Sequence, residues 1–259
     1  MDRPKADSVL VLSGLDPSGA AGIAADIETI NQFGLTPLPI ITLLTAQNTQ
    51  KVESLEVTKN DLLEHQFKLI DEDIHFNTVK IGLLGSSSQI IAISNLIKNR
   101  KQLNIVLDPI LISGTNENLS SIEIMEAMKA HLFPLCLVLT PNLAELNVLA
   151  PGLDEQAAVA SLNCPWVLVT TSDSSEAEIE HRLYHEAKLI QKFIYDKLPH
   201  KFHGSGCTLS SAISALIASG DDVDVACNKA LQYTYQCLLN AKKLGKMQFH
   251  PNRTSSKLI

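Results

Sequence analysis

The sequence predicts an α/β protein: a three-layer, doubly wound, mostly parallel sheet with helices on both faces and an appended antiparallel hairpin. Apolar runs of strand length alternate with amphipathic segments of helix length, which is typical of a doubly wound sheet. The apolar runs are continuous, as expected for strands buried on both faces. With 259 residues, of which 45% are hydrophobic and only 5% aromatic, the chain is long enough to bury a large aliphatic core.

The individual elements follow from these runs in chain order. The predicted strands of the parallel sheet are 8–13, 39–45, 78–84, 104–107, 135–140 and 166–170. The predicted helices between them are 22–33, 58–71, 87–99, 121–131, 144–149 and 153–162. Each strand except the last is thus followed by at least one helix, which favours parallel pairing.

The pattern changes in the last third of the chain. Residues 182–195 alternate apolar and polar side chains around a polar turn at 186–188, which predicts the antiparallel hairpin. Two helical segments follow, the first directly after His203 and the second over 222–244, and the polar tail 249–259 is expected to be loosely held. Because no repeat or linker interrupts the chain, we expect one domain over 1–259.

Charge and cysteine content narrow the class of function. The formal net charge is −7 and there is no run of basic residues, which disfavours nucleic-acid and membrane partners and favours a small-molecule ligand. The five cysteines form no CxxC pair, which argues against a zinc site and a disulfide framework. The opening residues lack the apolar segment of a signal peptide, so we expect a cytoplasmic protein.

Polar residues follow successive predicted strands. Open parallel sheets bind ligands beyond the carboxyl ends of their strands, so these residues are expected to surround one crevice. The set consists of Gly14, Asp16, Asp26, Gln47, Asn48, Asp108, Asn142 and Glu145, together with Leu83 and Thr170 at the ends of their strands.

The segment HGSGCTLSSAISALIASG, which begins at His203, predicts an anion site. The first turn of a helix has unpaired N–H groups and a partial positive charge, and glycines allow an anion to approach the backbone. Gly204, Ser205, Gly206 and Cys207 are therefore expected to form an anion hole for a phosphoryl group. The same position would lower the pKa of Cys207, so that its thiolate could accept a proton.

Each of these residues also has a plain structural interpretation. Gly-x-Gly before a helix is often turn chemistry, and Asp108 and Glu145 could be helix caps or solvated carboxylates. Taken together, the two carboxylates could hold Mg²⁺ through water beside the phosphates of a nucleotide, as that ion prefers.

The motifs SGLDPSGAAGIAADIETI, LLTAQNT, VKIGLL, VLDPIL, LTPNLAE and HGSGCTLSSAISALIA resemble, in this order, the hydroxymethylpyrimidine/phosphomethylpyrimidine kinases of the ribokinase-like superfamily. The resemblance extends from about residue 9 to residue 242. It implies a ribokinase-like fold and a kinase that uses ATP and Mg²⁺. The implied reaction phosphorylates 4-amino-5-hydroxymethyl-2-methylpyrimidine and then its monophosphate, in thiamine biosynthesis.

The resemblance also assigns roles to individual residues. Asn142 and Glu145 match a motif tied to Mg²⁺ and phosphate, and the segment ending at Cys207 matches the anion hole, with Cys207 where ribokinases carry a catalytic aspartate. Gly14, Asp26 and Gln47 match positions that contact the pyrimidine. The resemblance alone further implies a homodimer.

Three departures from the family pattern concern the charges near the phosphates. Thr170, Thr171, Ser172 and Asp173 stand where the family usually has Lys-Gly-Gly-His, and ISGTNEN, which contains Gly114, replaces the family's Ala-Lys-Ser-Gly flap. The first loop has Gly19 and Ala20 in place of a glycine pair, and Ala24 in place of a glutamine. Loss of two lysines predicts a slower reaction, by roughly a hundredfold, or one restricted to a single step, unless Lys80 or Lys201 compensates.

Two alternatives remain open at this stage. A pyridoxine or pyridoxal kinase of the same superfamily would use a similar pocket for a similar hydroxymethyl heterocycle. A binding or regulatory protein could keep the fold and the pyrimidine pocket without phosphoryl transfer, as the missing lysines permit. Asp26 and Gln47 favour the aminopyrimidine.

Overall fold

The computed structural model describes residues 5–100, 102–111, 121–171 and 177–254. A single sheet of nine strands runs through them in the order β3-β2-β1-β4-β5-β6-β7-β8-β9. Five neighbouring pairs, from β2 across to β7, are parallel, and the outer pairs β2/β3, β7/β8 and β8/β9 are antiparallel. The predicted mostly parallel sheet is confirmed.

Strands and helices occupy most of the described chain. The strands are β1 Ser8–Leu15, β2 Thr36–Gln47, β3 Val52–Val57, β4 Thr78–Ile81, β5 Asn104–Leu107, β6 Val138–Leu139, β7 Trp166–Val169, β8 Glu178–His185 and β9 Lys188–Asp196. The helices are α1 Gly22–Gln32, α2 Asn60–Asp73, α3 Ser87–Ile97, α4 Ile122–His131, α5 Leu143–Leu149, α6 Glu155–Ser161, α7 Ser205–Ala218 and α8 Val223–Leu239. None of the helices in the described residues is both long and apolar enough to cross a membrane.

The helices cover both faces of the sheet, and strand β1 shows why its sequence is apolar throughout. Leu10 and Leu12 pack into the core shared with α2, α3 and α4. Val9 and Val11, which point to the opposite face, pack with α1 and α7. Because successive side chains of a strand point to opposite faces, a strand covered on both sides needs an unbroken apolar run.

Strand β1 also marks the point where the direction of strand order reverses. It pairs in parallel with β2 on one side and with β4 on the other. In doubly wound sheets a ligand crevice opens at such a switch point, beyond the carboxyl ends of the strands. The topology therefore places the loops after β1, β2 and β4 beside one another.

The appended hairpin is confirmed, and it is longer than its sequence pattern indicated. Strands β8 and β9 pair antiparallel and are joined at Glu186 and Ala187, whose φ angles are 49° and 58°. Positive φ at both central residues is typical of the two-residue turns that match strand twist. The antiparallel strand β3 was not predicted, because most of its side chains are exposed and its sequence VESLEV has no buried run.

The prediction of a loose tail is wrong for residues 249–253. Phe249 exchanges backbone hydrogen bonds with Lys201 and His203. Arg253 is 2% exposed; its side chain donates to the Ala20 carbonyl and, over 2.9 Å, to Thr208 Oγ1. The polar composition of the tail suggested an exposed segment. Arg253 can nevertheless be buried because its guanidinium donors are paired, which removes the main cost of burying a charge. Residues 255–259 lie outside the described part of the chain.

Candidate active site

One pocket opens at the carboxyl ends of the parallel strands, where the topology placed the crevice. Of the residues that the sequence nominated, all but Asp26 line it: Gly14, Asp16, Gln47, Asn48, Leu83, Asp108, Asn142, Glu145, Thr170, Gly204, Ser205, Gly206 and Cys207. The structure therefore brings together residues from most of the strand ends and from the start of α7.

The N-terminus of α7 forms the floor of the pocket. Gly204 is the N-cap residue, with φ 88°, and no side chain caps this helix. A Cβ atom at Gly204 would collide with the carbonyl oxygen of Ala20. Only glycine combines this left-handed backbone with such a close approach. The conformation of this helix start therefore depends on glycine at position 204, and no side chain caps it.

Cys207 lies in the first turn of α7 and is 5% exposed. Burial raises the pKa of its thiol to about 12, and the Lys80 ammonium only partly opposes this effect. We predicted the opposite direction from the position at the helix start. The correction follows from the depth of the site, because burial penalises the thiolate more than the helix terminus and Lys80 favour it. Cys207 is therefore a neutral thiol at pH 7, and Gly22 donates its N–H to the sulfur.

Asp26 does not reach the pocket wall, although the sequence placed it among the pyrimidine contacts. Its carboxylate is fully buried, with Oδ1 lying 2.8 Å from Lys80 Nζ and 2.7 Å from the Ser211 hydroxyl that donates to it. Lys80 is fully buried as well. Burial alone would lower the pKa of Lys80, but nearby negative charges, of which Asp26 is the strongest, raise it above its usual value. Asp26 thus lies behind the pocket, as the counterion of a buried ammonium.

Asp108 connects this buried pair to the pocket. It follows β5 directly, and a Cβ atom added at Gly206 would lie 3.2 Å from its Oδ2 atom. Burial raises the pKa of Asp108 to about 6, while the Lys80 ammonium opposes the rise. A carboxylate therefore lies against the backbone at the start of α7 and remains largely ionised at pH 7.

Asn142 and Glu145 form a capping box at the start of α5. Asn142 Oδ1 accepts from the Glu145 N–H at 2.8 Å, and Glu145 Oε2 accepts from the Asn142 N–H at 2.9 Å. Thr170 anchors the same turn, because its carbonyl accepts from the Leu143 N–H at 2.9 Å. Asn142 and Glu145 therefore cap the helix, which is the plain structural interpretation of Glu145, and both residues also line the pocket.

The pocket carboxylates fit Mg²⁺ held through water. In the described ranges no group of three or more His, Cys, Asp or Glu side chains is arranged to hold a metal ion. Mg²⁺ usually keeps several waters and needs only one or two carboxylates together with phosphate oxygens. Asp108 and Glu145, which both line the pocket, supply that number.

Among the polar residues that line the pocket, His203 and Gln248 received no role from the sequence. His203 Nε2 lies 3.1 Å from Asp16 Oδ2, and Gln47 Nε2 lies 3.3 Å from the same ring nitrogen. His203 directly precedes the glycine segment, so its position was visible, but its contact with the first loop is made across 187 residues of chain. Gln248, from the tail, also lines the pocket, and nothing in its local sequence indicated this.

Most positions at which this sequence departs from the family pattern near the phosphates lie outside the described residues. These positions are Ser172, Asp173 and residues 112–118, which include Gly114. Neither Lys80 nor Lys201 is among the residues that line the pocket. Lys80 is enclosed behind it, and Lys201 is exposed. Neither lysine therefore replaces the missing lysines by direct contact with the pocket.

Comparison with known proteins gives a consistent result. The phosphomethylpyrimidine kinase family model matches residues 16–252. A hydroxymethylpyrimidine/phosphomethylpyrimidine kinase from Aquifex aeolicus is 30% identical over 246 residues, which cover 92% of this chain and 96% of that protein.

Solved structures show the same fold. Phosphomethylpyrimidine kinase from Clostridium difficile is 29% identical, with a TM-score of 0.76, and the match covers 89% of this chain and 99% of that one. The ADP complex of Bacillus subtilis pyridoxal kinase is 23% identical, with a TM-score of 0.87 and coverage of 97% and 98%, and at that identity it supports the fold alone. The fold is ribokinase-like, and the chain belongs to the phosphomethylpyrimidine kinase family of small-molecule kinases.

Proposed function

We propose that this protein transfers the γ-phosphoryl group of ATP to the hydroxymethyl oxygen of 4-amino-5-hydroxymethyl-2-methylpyrimidine, to the phosphate of its monophosphate, or to both. The observation that carries the proposal is the single pocket in which the uncapped start of α7 faces Asp108 and the Asn142–Glu145 box. Membership of the kinase family supports the reaction class.

The pocket residues supply positioning and charge stabilisation, which are the main protein contributions to phosphoryl transfer. The N–H groups at Gly204 to Cys207 would bind the oxygens of the transferred group, where negative charge increases in the transition state. Asp108 and Glu145 would hold Mg²⁺ through water, and the ion would neutralise charge on the nucleotide phosphates. Asn142 and Thr170 would fix the turn that presents Glu145 to the phosphates.

The heterocycle would lie at the other end of the pocket, beside Gly14, Gln47 and Leu83. An amide side chain can donate to a ring nitrogen or accept from an exocyclic amino group, so Gln47 suits an aminopyrimidine. Pyridoxal remains the alternative substrate, because a structural neighbour of this fold is a pyridoxal kinase. The curated relatives with about 30% identity are named for the pyrimidine reaction, which favours the pyrimidine.

The test is an ATP-consumption assay with Mg²⁺ in which the pyrimidine alcohol, its monophosphate and pyridoxal are supplied separately and products are identified by mass. We expect phosphorylation of at least one pyrimidine substrate and a kcat/KM for pyridoxal that is at least tenfold lower. A preference for pyridoxal would refute the substrate assignment. Tight binding of the pyrimidine without any product would instead support a binding protein that has lost phosphoryl transfer.

Replacing Cys207 with alanine is expected to lower kcat by about tenfold and to change the pyrimidine KM much less. The thiol is neutral, so it contributes shape and one weak hydrogen bond in the first turn of α7, an effect of about 1.4 kcal/mol. Because its pKa is about 12, the thiolate fraction would increase tenfold per pH unit near neutrality.

The pH profile separates this role from that of a base. We expect kcat of the unmodified protein to vary by less than about threefold between pH 7 and pH 9, in line with a protonated thiol. A tenfold rise per pH unit that disappears in Cys207→Ala would show that the thiolate accepts the proton.

We further propose that residues 1–259 form one kinase domain that works in the cytoplasm, where ATP is supplied, and that two copies pair. The continuous nine-stranded sheet supports the single domain. Sedimentation at several protein concentrations would test the dimer.

A further inference from the structure

Asp16, His203 and Gln47 form a small polar cluster on the pyrimidine side of the pocket. All three line the pocket, and they come from the loop after β1, the segment before α7 and the end of β2. Both Asp16 Oδ2, at 3.1 Å, and Gln47 Nε2, at 3.3 Å, approach the same nitrogen of His203, Nε2. One ring nitrogen thus has two polar neighbours, and its protonation state determines whether each neighbour acts as a hydrogen-bond donor or acceptor.

Asp16 is an acceptor in all of its contacts. It accepts from the Ser18 N–H at 2.8 Å, from the Ser18 hydroxyl at 2.9 Å and from the Ala21 N–H at 3.0 Å. Burial would raise its pKa, but the hydrogen bonds from His203 and Ser18 outweigh burial and lower the pKa to about 2. An ionised carboxylate has only lone pairs to offer, so the His203 nitrogen facing it must carry a proton. This holds for the neutral ring and for the doubly protonated ring alike.

A proton on Nε2 excludes a second donor at that atom. The Gln47 amide has an NH₂ group and an oxygen at its end, and a half-turn about its last bond exchanges the two. With NH₂ directed at His203, two donors would face each other at 3.3 Å. With the oxygen directed at His203, the ring proton is shared between two acceptors, Asp16 and Gln47. The charge on Asp16 therefore selects the second arrangement.

We propose that Asp16 and His203 are positioning residues that fix the Gln47 amide with its oxygen towards His203 and its NH₂ group towards the ligand. Gln47 then presents a donor to the pocket, and the ligand atom that it contacts must be an acceptor. Building on the proposed function, that atom is a ring nitrogen of the aminopyrimidine, and not its exocyclic amino group, which is a donor. The cluster thereby selects which edge of the heterocycle faces Gln47.

The first test needs no substitution in the protein that is measured. Long-range ¹H–¹⁵N correlation spectra of the ¹⁵N-histidine-labelled protein at pH 8 report which ring nitrogen carries the proton, and the His203→Gln variant identifies the His203 signals. We expect His203 Nε2 to be protonated. A neutral ring with its proton on Nδ1 would overturn the proposal.

The second test measures which partner Gln47 offers to the ligand. Calorimetric titration with the aminopyrimidine alcohol should show about tenfold weaker binding to Gln47→Glu than to the unmodified protein, because a carboxylate cannot donate to a ring nitrogen. Pyridine analogues, each with one ring nitrogen replaced by CH, should include one that binds the unmodified protein about tenfold more weakly. That analogue should show little further loss with Gln47→Glu.

Asn48→Asp is the matched control, because it adds the same charge one residue away. Asn48 Oδ1 accepts from the N–H groups of Gln50 and Lys51, a role that aspartate keeps. The loss with Gln47→Glu must exceed the loss with Asn48→Asp. Equal losses, or unchanged affinity of Gln47→Glu, would overturn the assignment of a donor.

The two tests also separate this inference from the proposed function. If the unmodified protein fails to bind the aminopyrimidine, the proposed function and the assigned ligand atom both fall. The histidine spectrum would still decide whether Asp16 and His203 fix the amide. If the pyrimidine binds and is phosphorylated but Nε2 lacks a proton, the function stands and the inference is refuted.

Discussion

Replacing Lys80 with methionine is expected to lower the free energy of unfolding by about 3–5 kcal/mol. The substitution keeps the length of the side chain and removes the ammonium group that lies 2.8 Å from Asp26 Oδ1. Both side chains are fully buried, so the variant would leave a carboxylate without its counterion in a medium that solvates it poorly. The Ser211 hydroxyl, which donates to the same oxygen, compensates only in part.

Denaturant unfolding of two further variants tests the cause. The double variant Lys80→Met with Asp26→Asn removes both charges and keeps an acceptor for Ser211, so it should recover much of the loss. Lys229→Met breaks an ion pair with Asp221 whose lysine side chain is 52% exposed, and it should cost less than about 1 kcal/mol. Equal losses for Lys80→Met and Lys229→Met, or no recovery in the double variant, would contradict the argument.

The buried pair also links stability to the site. The Lys80 ammonium opposes the rise in pKa that burial imposes on Asp108 and on Cys207. Its charge therefore helps to keep Asp108, which lies beside the start of α7, ionised at neutral pH. A lysine that does not line the pocket can thus influence chemistry inside it, although the lysines that the family places near the phosphates are replaced at Thr170 and in the flap sequence.

The fold could be predicted because its determinants are local. The apolar runs of β1, β5 and β7 and the helical periodicity between them indicate strands buried on both faces, and the structure confirms this. The exposed strand β3 carries no such signal. The order of the tail was not predicted either, because Arg253 is paired with the Ala20 carbonyl of the first loop and with the Thr208 hydroxyl of α7. Composition alone does not show contacts between residues so distant in the sequence.

The pocket could be located from the sequence, but the burial of its residues could not. The rule that ligands bind beyond strand ends brought together Gly14, Gln47, Asp108 and Glu145, which all line the pocket. That rule gives no information on how deeply a side chain is buried. Asp26 lies behind the pocket wall and Cys207 lines the pocket but is only 5% exposed. Burial makes Asp26 the counterion of Lys80 and keeps Cys207 a neutral thiol.

Replacing Gly204 with alanine is expected to lower kcat/KM by about 100- to 1000-fold, the range seen when a donor is lost from an oxyanion hole. Gly204 has φ 88° and lies so close to the Ala20 carbonyl that a Cβ atom would overlap the oxygen. The start of α7 must therefore move, and it carries the N–H groups that would face the transferred phosphoryl group. Steady-state kinetics with the pyrimidine and ATP, together with a melting curve, measure both effects.

Gly152→Ala isolates the cost of the backbone conformation. Gly152 has a similar φ of 79° with nothing within 4 Å of an added Cβ, so this variant carries the left-handed strain, about 1–2 kcal/mol, without the collision. Its turnover should match that of the unmodified protein. Gly206→Ala, whose Cβ would lie 3.2 Å from Asp108 Oδ2, should fall between the two. A folded Gly204→Ala protein with turnover within a few-fold of normal would show that the transferred group does not bind at the start of α7.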